Sequence, residues 1–315
     1  MYERFYGLRE RPFDLTPNPR YLLLTEQHQE ALNNIEFGIK QRKGIIVVIG
    51  EAGTGKTTII RTAMARAAEA DDARATCWAY LNNPTLQRSE FLEALASGFR
   101  ISPEMGSKIR LLETLEEIAM RGRRLALIVD EAQSLPVELL EEIRLLANME
   151  SETEKILPVI LAGQPELAGR LNEPALRQLK QRVVLRCSLS PLSLRETAWY
   201  VATRITIAGG DPVHLFTRDA VRAIHERSGG IPRTISVICE NALLTGYAEG
   251  QRPVDEGIVA TVCRDFDFPK LTTGAAAVLP MTRPLDTAVT ESRPLHSGTH
   301  LSDRVRRWAL KQRSS

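Results

Sequence analysis

The segment GEAGTGKTT, residues 50–58, is the feature of this sequence that most constrains its fold. It follows the apolar run 45–49 and precedes a stretch with helical periodicity. The arrangement Gly50-x4-Gly55-Lys56-Thr57 fits the phosphate-binding loop, a pattern that is informative when it joins a strand to a helix. Because both flanking patterns are present, we expect a strand, a glycine-rich loop and a helix whose amino terminus faces an anion.

The residue types of this loop indicate nucleotide binding. Gly50, Gly53 and Gly55 permit backbone angles at which successive N–H groups point into one concavity. Lys56 is expected to reach the β- and γ-phosphates of ATP, and the Thr57 hydroxyl to ligate Mg²⁺. The strand–loop–helix context disfavours the alternative, a glycine-rich turn without a ligand. The predicted nucleotide-binding residues are Gly50, Glu51, Ala52, Gly53, Thr54, Gly55, Lys56, Thr57 and Thr58.

The stretch LALIVDEAQ, residues 125–133, provides an acidic pair at the end of an apolar run. Carboxylates at the carboxyl end of a parallel strand point into the crevice where ligands bind. We expect Asp130 to hold Mg²⁺ and Glu131 to activate the attacking water as a general base. A small-molecule kinase would need a second substrate pocket, and a GTPase would need an N-K-x-D motif, which the sequence lacks. Hydrolysis of ATP is therefore the predicted reaction, rather than a strand end with solvated carboxylates.

Three further residues extend the predicted catalytic set. In LPVILAGQPEL, Gln164 follows a strand and is positioned to orient the lytic water; its alternative role is to cap the next turn. In LRQLKQRVV, Arg182 precedes a strand and suits an arginine finger that reaches a neighbouring subunit, or else a surface charge. Arg177 is a rival for that role. In GGIPRTISVICENAL, Arg233 begins a helix and is expected either to close onto the nucleotide or to contact the sheet.

Short apolar strands alternate with helical patterns up to residue 190, which is typical of an α/β fold with a parallel five-stranded sheet flanked by helices. After Pro191 only helical patterns follow, so we expect a small all-α lid domain. The predicted strands are 45–49, 75–81, 125–129, 156–162 and 183–189. The predicted helices are 25–43, 56–69, 89–99, 108–121, 136–148, 174–181, 193–208, 217–227, 232–248 and 254–265.

Composition and charge divide the chain further. Residues 1–24 are rich in aromatic residues and proline and predict an ordered but irregular arm. The α/β domain covers 25–190 and the lid 191–268, followed by a flexible linker over 269–300 and a basic amphipathic tail over 301–315. Residues 1–269 carry a net charge of −3, whereas residues 270–315 carry +5. The tail is expected to lie on an anionic membrane surface or to dock on a partner, or else to be a solvated end.

The motifs together resemble those of AAA+ ATPases. More narrowly, FYGLRERPFDLTPNPRYLLLTEQHQEAL (residues 5–32), with GEAGTGKTT, VDEAQSL and LAGQPEL, is similar to the ExeA/GspA-type ATPases of the bacterial general secretion pathway and to exosortase-associated ATPases. The likeness covers roughly residues 1–266. It implies a P-loop NTPase fold, an aromatic arm near the adenine, and ATP-dependent assembly into a ring or dimer. Secretion proteins of this type continue into a membrane span and a peptidoglycan-binding domain, whereas in this sequence a short basic tail follows the region of likeness.

The expected function is therefore that of a homo-oligomeric ATPase, using ATP and Mg²⁺, that powers or assembles a secretion or envelope export system. The expected location is cytoplasmic, with peripheral inner-membrane contact through the tail, because the first residues are too charged for a signal peptide. Four cysteines without C-x-x-C spacing are expected to be reduced core thiols. The alternative function is a DNA-associated regulator of transposition or replication; DNA is not favoured, because no recognition module with a basic face is evident.

Overall fold

The computed structural model of the protein describes residues 1–16, 19–21, 23–69, 76–82, 86–101, 108–150 and 154–268. The chain divides into two compact units. The sheet unit comprises Thr16–Pro191 with Ile231–Arg233, and the helical unit comprises Met1–Leu15, Leu192–Gly230 and, among the described residues, 234–268. The predicted linker and tail lie outside the described residues.

Five parallel strands form the sheet, in the order β2-β3-β4-β1-β5. They are β1 Ile45–Gly50, β2 Thr76–Leu81, β3 Arg124–Val129, β4 Val159–Gly163 and β5 Val183–Leu189. Every pairing between them is parallel, so the carboxyl ends of all five strands meet at one edge of the sheet. The predicted α/β fold with a five-stranded parallel sheet is confirmed.

Helices of the sheet unit cover both faces of the sheet. They are α2 Glu26–Lys40, α3 Lys56–Glu69, α4 Arg88–Gly98, α5 Lys108–Met120, α6 Val137–Leu146, α7 Pro165–Arg170 and α8 Arg177–Lys180. Alternate residues of β1 point to opposite faces, and every residue of that strand is buried. Val47 packs in the core that α4–α8 share, whereas Val48 packs with α2 and α3. A strand buried on both faces explains why its sequence is a continuous apolar run.

Some predicted boundaries differ from those of the structure. Strand β4 begins at Val159 and not at residue 156, because the preceding Pro158 has no N–H group to donate to a neighbouring strand. The predicted helix 174–181 divides into a 3-10 turn, Pro174–Leu176, and the short α8. Helix α7 was not predicted, although Pro165 at its first position is a typical helix-start signal.

The helical unit contains the N-terminal segment as well as the C-terminal helices. Its helices are α1 Tyr2–Tyr6, α9 Leu194–Ile207, α10 Arg218–Ser228, α11 Pro232–Ala248 and α12 Glu256–Asp265, with Pro232 and Arg233 grouped in the sheet unit. The Tyr2 hydroxyl donates to the Glu240 carboxylate at 2.8 Å, and the Tyr6 hydroxyl donates to the Gln251 carbonyl at 3.2 Å. The segment 1–15 is therefore part of this unit, rather than one irregular arm continuing to residue 24.

Arg204 of α9 fixes the rest of this N-terminal segment. Its guanidinium donates to the backbone carbonyls of Pro12 and Asp14, and it also lies over the ring of the fully buried Phe13. The Phe13 ring meets the Phe216 ring edge to face at 6.2 Å. Aromatic burial and a charge-assisted clamp together order a segment that has little helix of its own.

All four cysteines are free thiols, as expected; Cys187, Cys239 and Cys263 are buried, and Cys77 is partly buried.

Among the described residues, no helix combines the length and the apolar character that a membrane crossing needs.

We predict that Gly98→Ala destabilises the sheet unit. A Cβ at Gly98 would lie 2.8 Å from the Cβ and 3.0 Å from the Cα of Ala79 on β2, and neither atom can rotate away. Overpacking of this kind costs about 1–3 kcal/mol, which outweighs a gain in helix propensity of roughly 1 kcal/mol. The urea midpoint of unfolding should therefore fall.

The matched control is Gly169→Ala in α7, where an added Cβ meets nothing within 4 Å. This variant should be neutral or more stable, because alanine restricts the unfolded chain. Equal midpoints for the two variants would contradict the close contact between α4 and β2.

Candidate functional site

The loop 50–58 connects the carboxyl end of β1 to α3, as predicted. Gly53 and Gly55 have φ values of 84° and 104°, in the left-handed region that favours glycine. Gly50 is required for a different reason: a Cβ there would lie 2.7 Å from the Thr54 hydroxyl and 2.9 Å from the Leu189 carbonyl oxygen. Unlike Gly53 and Gly55, Gly50 is not among the glycines with a positive φ, and the absence of its side chain allows the close approach of Thr54 and Leu189.

Lys56 is the buried cation of the loop, with 4% of its surface exposed. Its Nζ donates to the carbonyl oxygens of Gly50 at 2.7 Å and Glu51 at 3.1 Å. Burial lowers the pKa of the Lys56 ammonium, although nearby carboxylates, above all Glu131, oppose the shift. A buried ammonium held by neutral carbonyls is well suited to receive an anion, because its charge is poorly solvated.

The remaining loop residues differ in exposure. Thr54 is buried and donates its hydroxyl to the Glu51 carbonyl at 2.8 Å, which closes the turn. Ala52 and Thr58 are exposed.

His28 connects α2 to the loop 50–58 by hydrogen bonds. Its Nε2 donates to the Thr54 carbonyl oxygen at 2.9 Å, and the Thr25 hydroxyl lies 2.6 Å from its Nδ1. Because a carbonyl can only accept, the ring carries a proton on Nε2, and in the neutral tautomer Nδ1 accepts from the Thr25 hydroxyl. Thr25 also caps α2 by accepting the His28 N–H at 3.4 Å. The first turn of α2 and the phosphate-binding loop are thus connected through one buried ring.

Asp130 follows β3 and is 4% exposed. Its Oδ2 accepts the Thr57 hydroxyl at 2.6 Å and the Tyr80 hydroxyl at 2.8 Å, while its Oδ1 accepts the Glu131 N–H at 3.0 Å. The two residues predicted to hold a metal ion, Thr57 and Asp130, are therefore in direct contact. Burial, and then the hydrogen bond to Asp130, raise the pKa of Tyr80 and keep it a neutral donor.

Glu131 has a left-handed backbone, with φ 53° and ψ 37°, which is uncommon for a residue other than glycine. Its Oε2 accepts from the Gln133 Nε2 at 2.6 Å and from the Gln164 Nε2 at 3.1 Å. Burial alone would raise the pKa of Glu131, but the two amide hydrogen bonds and the Lys56 charge outweigh it and lower the pKa. The carboxylate therefore remains ionised at neutral pH.

The structure brings most predicted site residues together at one edge of the sheet. Glu131, Lys56 and Gln164 lie there, and the N–H of Arg233 donates to the Gly53 carbonyl at 3.3 Å. Arg182 does not join them. Its carbonyl accepts the Ile45 N–H at the amino end of β1, about 20 Å along the strands from the loop.

Sequence reasoning missed three residues of the site: His28, Tyr80 and Gln133. The spacing of Thr25 and His28, a cap and a residue three positions later, was a usable signal for the first. Gln133 lies inside the quoted motif VDEAQ but received no role. Nothing in the sequence pointed to Tyr80, because its contact with Asp130 depends on the pairing of β2 with β3.

The comparisons with known proteins agree with this geometry. Residues 39–171 match the family model described as an AAA domain, a range that includes Lys56, Asp130, Glu131 and Gln164. Over 267 residues the sequence is 38% identical to general secretion pathway protein A of Aeromonas hydrophila. The chain is an AAA+ protein of the general secretion pathway protein A type.

The extent of this match is unequal in the two proteins. It covers 82% of this chain and 47% of the Aeromonas hydrophila protein, so the chain spans about half the length of that relative.

Solved structures support the AAA+ fold. The ORC2 protein of Aeropyrum pernix, in ADPNP and ADP complexes, has a TM-score of 0.61 with 19% identity, over 82% of this chain and 72% of that one. Drosophila ORC bound to DNA has a TM-score of 0.63 with 19% identity, over 84% of this chain and 66% of that one. At these identities the similarity concerns the fold alone.

We predict that His28→Phe lowers stability by about 1–3 kcal/mol, because the ring volume remains but the buried Thr54 carbonyl loses its donor. His28→Gln should lose less, since its amide can donate toward the same carbonyl. The urea midpoints of the two variants are the measurement. A His28→Phe variant as stable as the original protein would contradict the assigned hydrogen bond.

Proposed function

We propose that this AAA+ protein binds ATP with Mg²⁺ and hydrolyses it to ADP and phosphate, as an oligomeric ATPase of a bacterial secretion or envelope export system. The observation that carries the proposal is the placement of an ionised Glu131 carboxylate, a buried Lys56 ammonium and the Thr57–Asp130 pair at one edge of the sheet.

The donor set near β3 suits Mg²⁺. Thr57 and Asp130 offer a hydroxyl and a carboxylate oxygen 2.6 Å apart, and oxygen is the ligand that Mg²⁺ prefers. These two residues would hold the ion, and the chemistry that a bound Mg²⁺ would supply is positive charge that offsets the negative charge of the phosphates.

Lys56 and the loop backbone would hold the phosphates. The Lys56 ammonium would leave the carbonyls of Gly50 and Glu51 for phosphate oxygens, a gain because those oxygens are charged. The left-handed angles of Gly53 and Gly55 would allow backbone N–H groups to point toward the same anion. Arg233, whose side chain lies against Gly53, would add a positive charge from the start of α11.

Glu131 would act as the general base. It would accept a proton from water as the water oxygen bonds to the γ-phosphorus and the bond to the β–γ bridging oxygen breaks. Gln164 would orient the same water through its amide. Its Nε2 lies 3.1 Å from Glu131 Oε2, which supports a shared water position.

Arg182 supports an assembly of several subunits. It is exposed and lies at the edge of the sheet opposite to its own phosphate-binding loop, so its guanidinium suits a role in a neighbouring subunit's site. Arg177, at the start of α8, is also exposed and remains the rival.

The export role is supported by similarity to general secretion pathway protein A over most of this chain. A protein partner in an export machine, a cytoplasmic location and peripheral contact with the inner membrane are parts of the same proposal. The tail proposed to make that contact lies outside the described residues. The acidic net charge of residues 1–269 argues against DNA as the main partner.

We predict that Lys56→Ala abolishes productive nucleotide binding, because the phosphates lose their buried cation. Glu131→Gln should still bind ATP but not turn it over, because an amide cannot accept the proton. Binding of a fluorescent ATP analogue and steady-state phosphate release measure the two effects. ATP affinity and turnover equal to those of the original protein in both variants would remove the proposed site.

The same assay tests the DNA alternative, with Glu131→Gln as the blank. A rate unaffected by double-stranded DNA supports the export role. Strong stimulation by DNA would instead favour a regulator of transposition or replication.

We predict that Arg182→Ala is inactive alone but regains part of its ATPase rate when mixed with Glu131→Gln. In a mixed oligomer, an intact Glu131 on one subunit can face an intact Arg182 on the next. Arg177→Ala is the matched control and should retain activity. No recovery at any mixing ratio would contradict action between subunits, and recovery only with Arg177→Ala would transfer the role to that residue.

A further inference from the structure

The side chain of Gln133 contacts both the Glu131 carboxylate and the backbone of Gln164, two residues of the predicted catalytic set. We propose that Gln133 is a positioning residue that fixes the Glu131 carboxylate relative to the end of β4, so that one carboxylate oxygen, Oε1, faces the attacking water. This inference rests on the proposed ATPase function, since it concerns how the same base is held.

The Gln133 amide uses both of its ends. Its Nε2 donates to Glu131 Oε2 at 2.6 Å, and its Oε1 accepts the backbone N–H of Gln164 at 3.0 Å. One planar group therefore spans the loop after β3 and the first residue after β4. The distance between the base and the water-orienting Gln164 is thereby fixed by two hydrogen bonds in series.

The backbone of Gln133 is held as well. The Arg170 guanidinium, at the end of α7, donates to the Gln133 carbonyl and to the Leu135 carbonyl at 2.6 Å. A Cβ on Gly163 would lie only 2.7 Å from Gln133 Oε1, so the glycine leaves space for the amide. Gln133, which follows β3, is therefore held by the end of β4 through its side chain and by α7 through its backbone carbonyl.

The hydrogen bonds also distinguish the two oxygens of Glu131. Both amide donors, from Gln133 and from Gln164, contact Oε2, and no other group among the described residues donates to Oε1. Oε1 is thus the oxygen left to accept a proton from water. The left-handed backbone of Glu131, with φ 53°, offers the side chain a restricted set of directions, and the two amides select one of them.

Only an amide of this length can make both contacts. Glutamate keeps the acceptor for the Gln164 N–H but places a second carboxylate beside Glu131. Methionine matches the size and has neither strong donor nor acceptor. A positioning role therefore predicts a loss of kcat in both the Gln133→Met and the Gln133→Glu variants, whereas a space-filling role predicts that Gln133→Met keeps its kcat.

The experiment compares kcat, KM and the ATP dissociation constant of Gln133→Met and Gln133→Glu with those of the original protein. We expect Gln133→Met to lower kcat about ten- to a hundredfold, as for other losses of a supporting contact, while KM changes little. Gln133→Glu should lose at least as much, although it keeps the side-chain length and the acceptor. The same substitution on another half-buried helix position, Gln29→Met, whose amide contacts only Asn33 among the described residues, should leave kcat unchanged.

Two outcomes would overturn the inference while leaving the ATPase proposal in place. One is an unchanged kcat in Gln133→Met. The other is a Gln133→Glu variant that is active while Gln133→Met loses ATP affinity and thermal stability together, which would indicate a structural role. If the original protein turns over ATP no faster than Glu131→Gln, the proposed function itself fails, and the inference with it.

Discussion

The placement of β1 between β4 and β5 is the constraint on which the site depends. Because all three strands are parallel, their carboxyl ends converge on one edge. Lys56 and Gln164 follow β1 and β4 there, and the carbonyl of Leu189, the last residue of β5, excludes a side chain at Gly50. Pairing of β3 with β4 adds Asp130 and Glu131 to the same edge. The chemistry thus follows from strand order, which places distant parts of the chain within hydrogen-bonding distance.

Buried charge is the second theme of the site. The Lys56 ammonium and the Asp130 carboxylate are both buried. The ammonium donates to backbone carbonyl oxygens, and the carboxylate accepts from the Thr57 hydroxyl. Enclosure of this kind costs solvation free energy, which the folded core must offset. The proposed occupants, nucleotide phosphates with Mg²⁺, would supply counter-charges for both groups, so the two charges are in place before binding.

The sequence predicted the five strands, nearly all helices and the principal motif residues, because strand burial and glycine spacing leave strong local patterns. It did not predict the contacts of Tyr80 or the two-ended role of Gln133, because these arise from strand register and from the reach of a single amide. The predicted start of β4 was three residues too early, because the apolar pattern begins before Pro158. An apolar pattern does not show that proline lacks the N–H group that a strand residue donates. The contribution of residues 1–15 to the helical unit depends on partners such as Glu240, more than two hundred positions away.

That long-range contribution has a consequence for folding. The described part of the helical unit is built from residues 1–15 together with 192–230 and 234–268, and nearly all of the sheet unit lies between the first two of these ranges in the sequence. During synthesis the residues of the sheet unit through Pro191 emerge before α9–α12 are made. Tyr2, Tyr6 and Phe13 therefore cannot make their contacts with Glu240, Gln251 and Phe216 until those later residues have been synthesised. The helical unit therefore has a high contact order despite its helices, and its completion is expected to be the later and slower step.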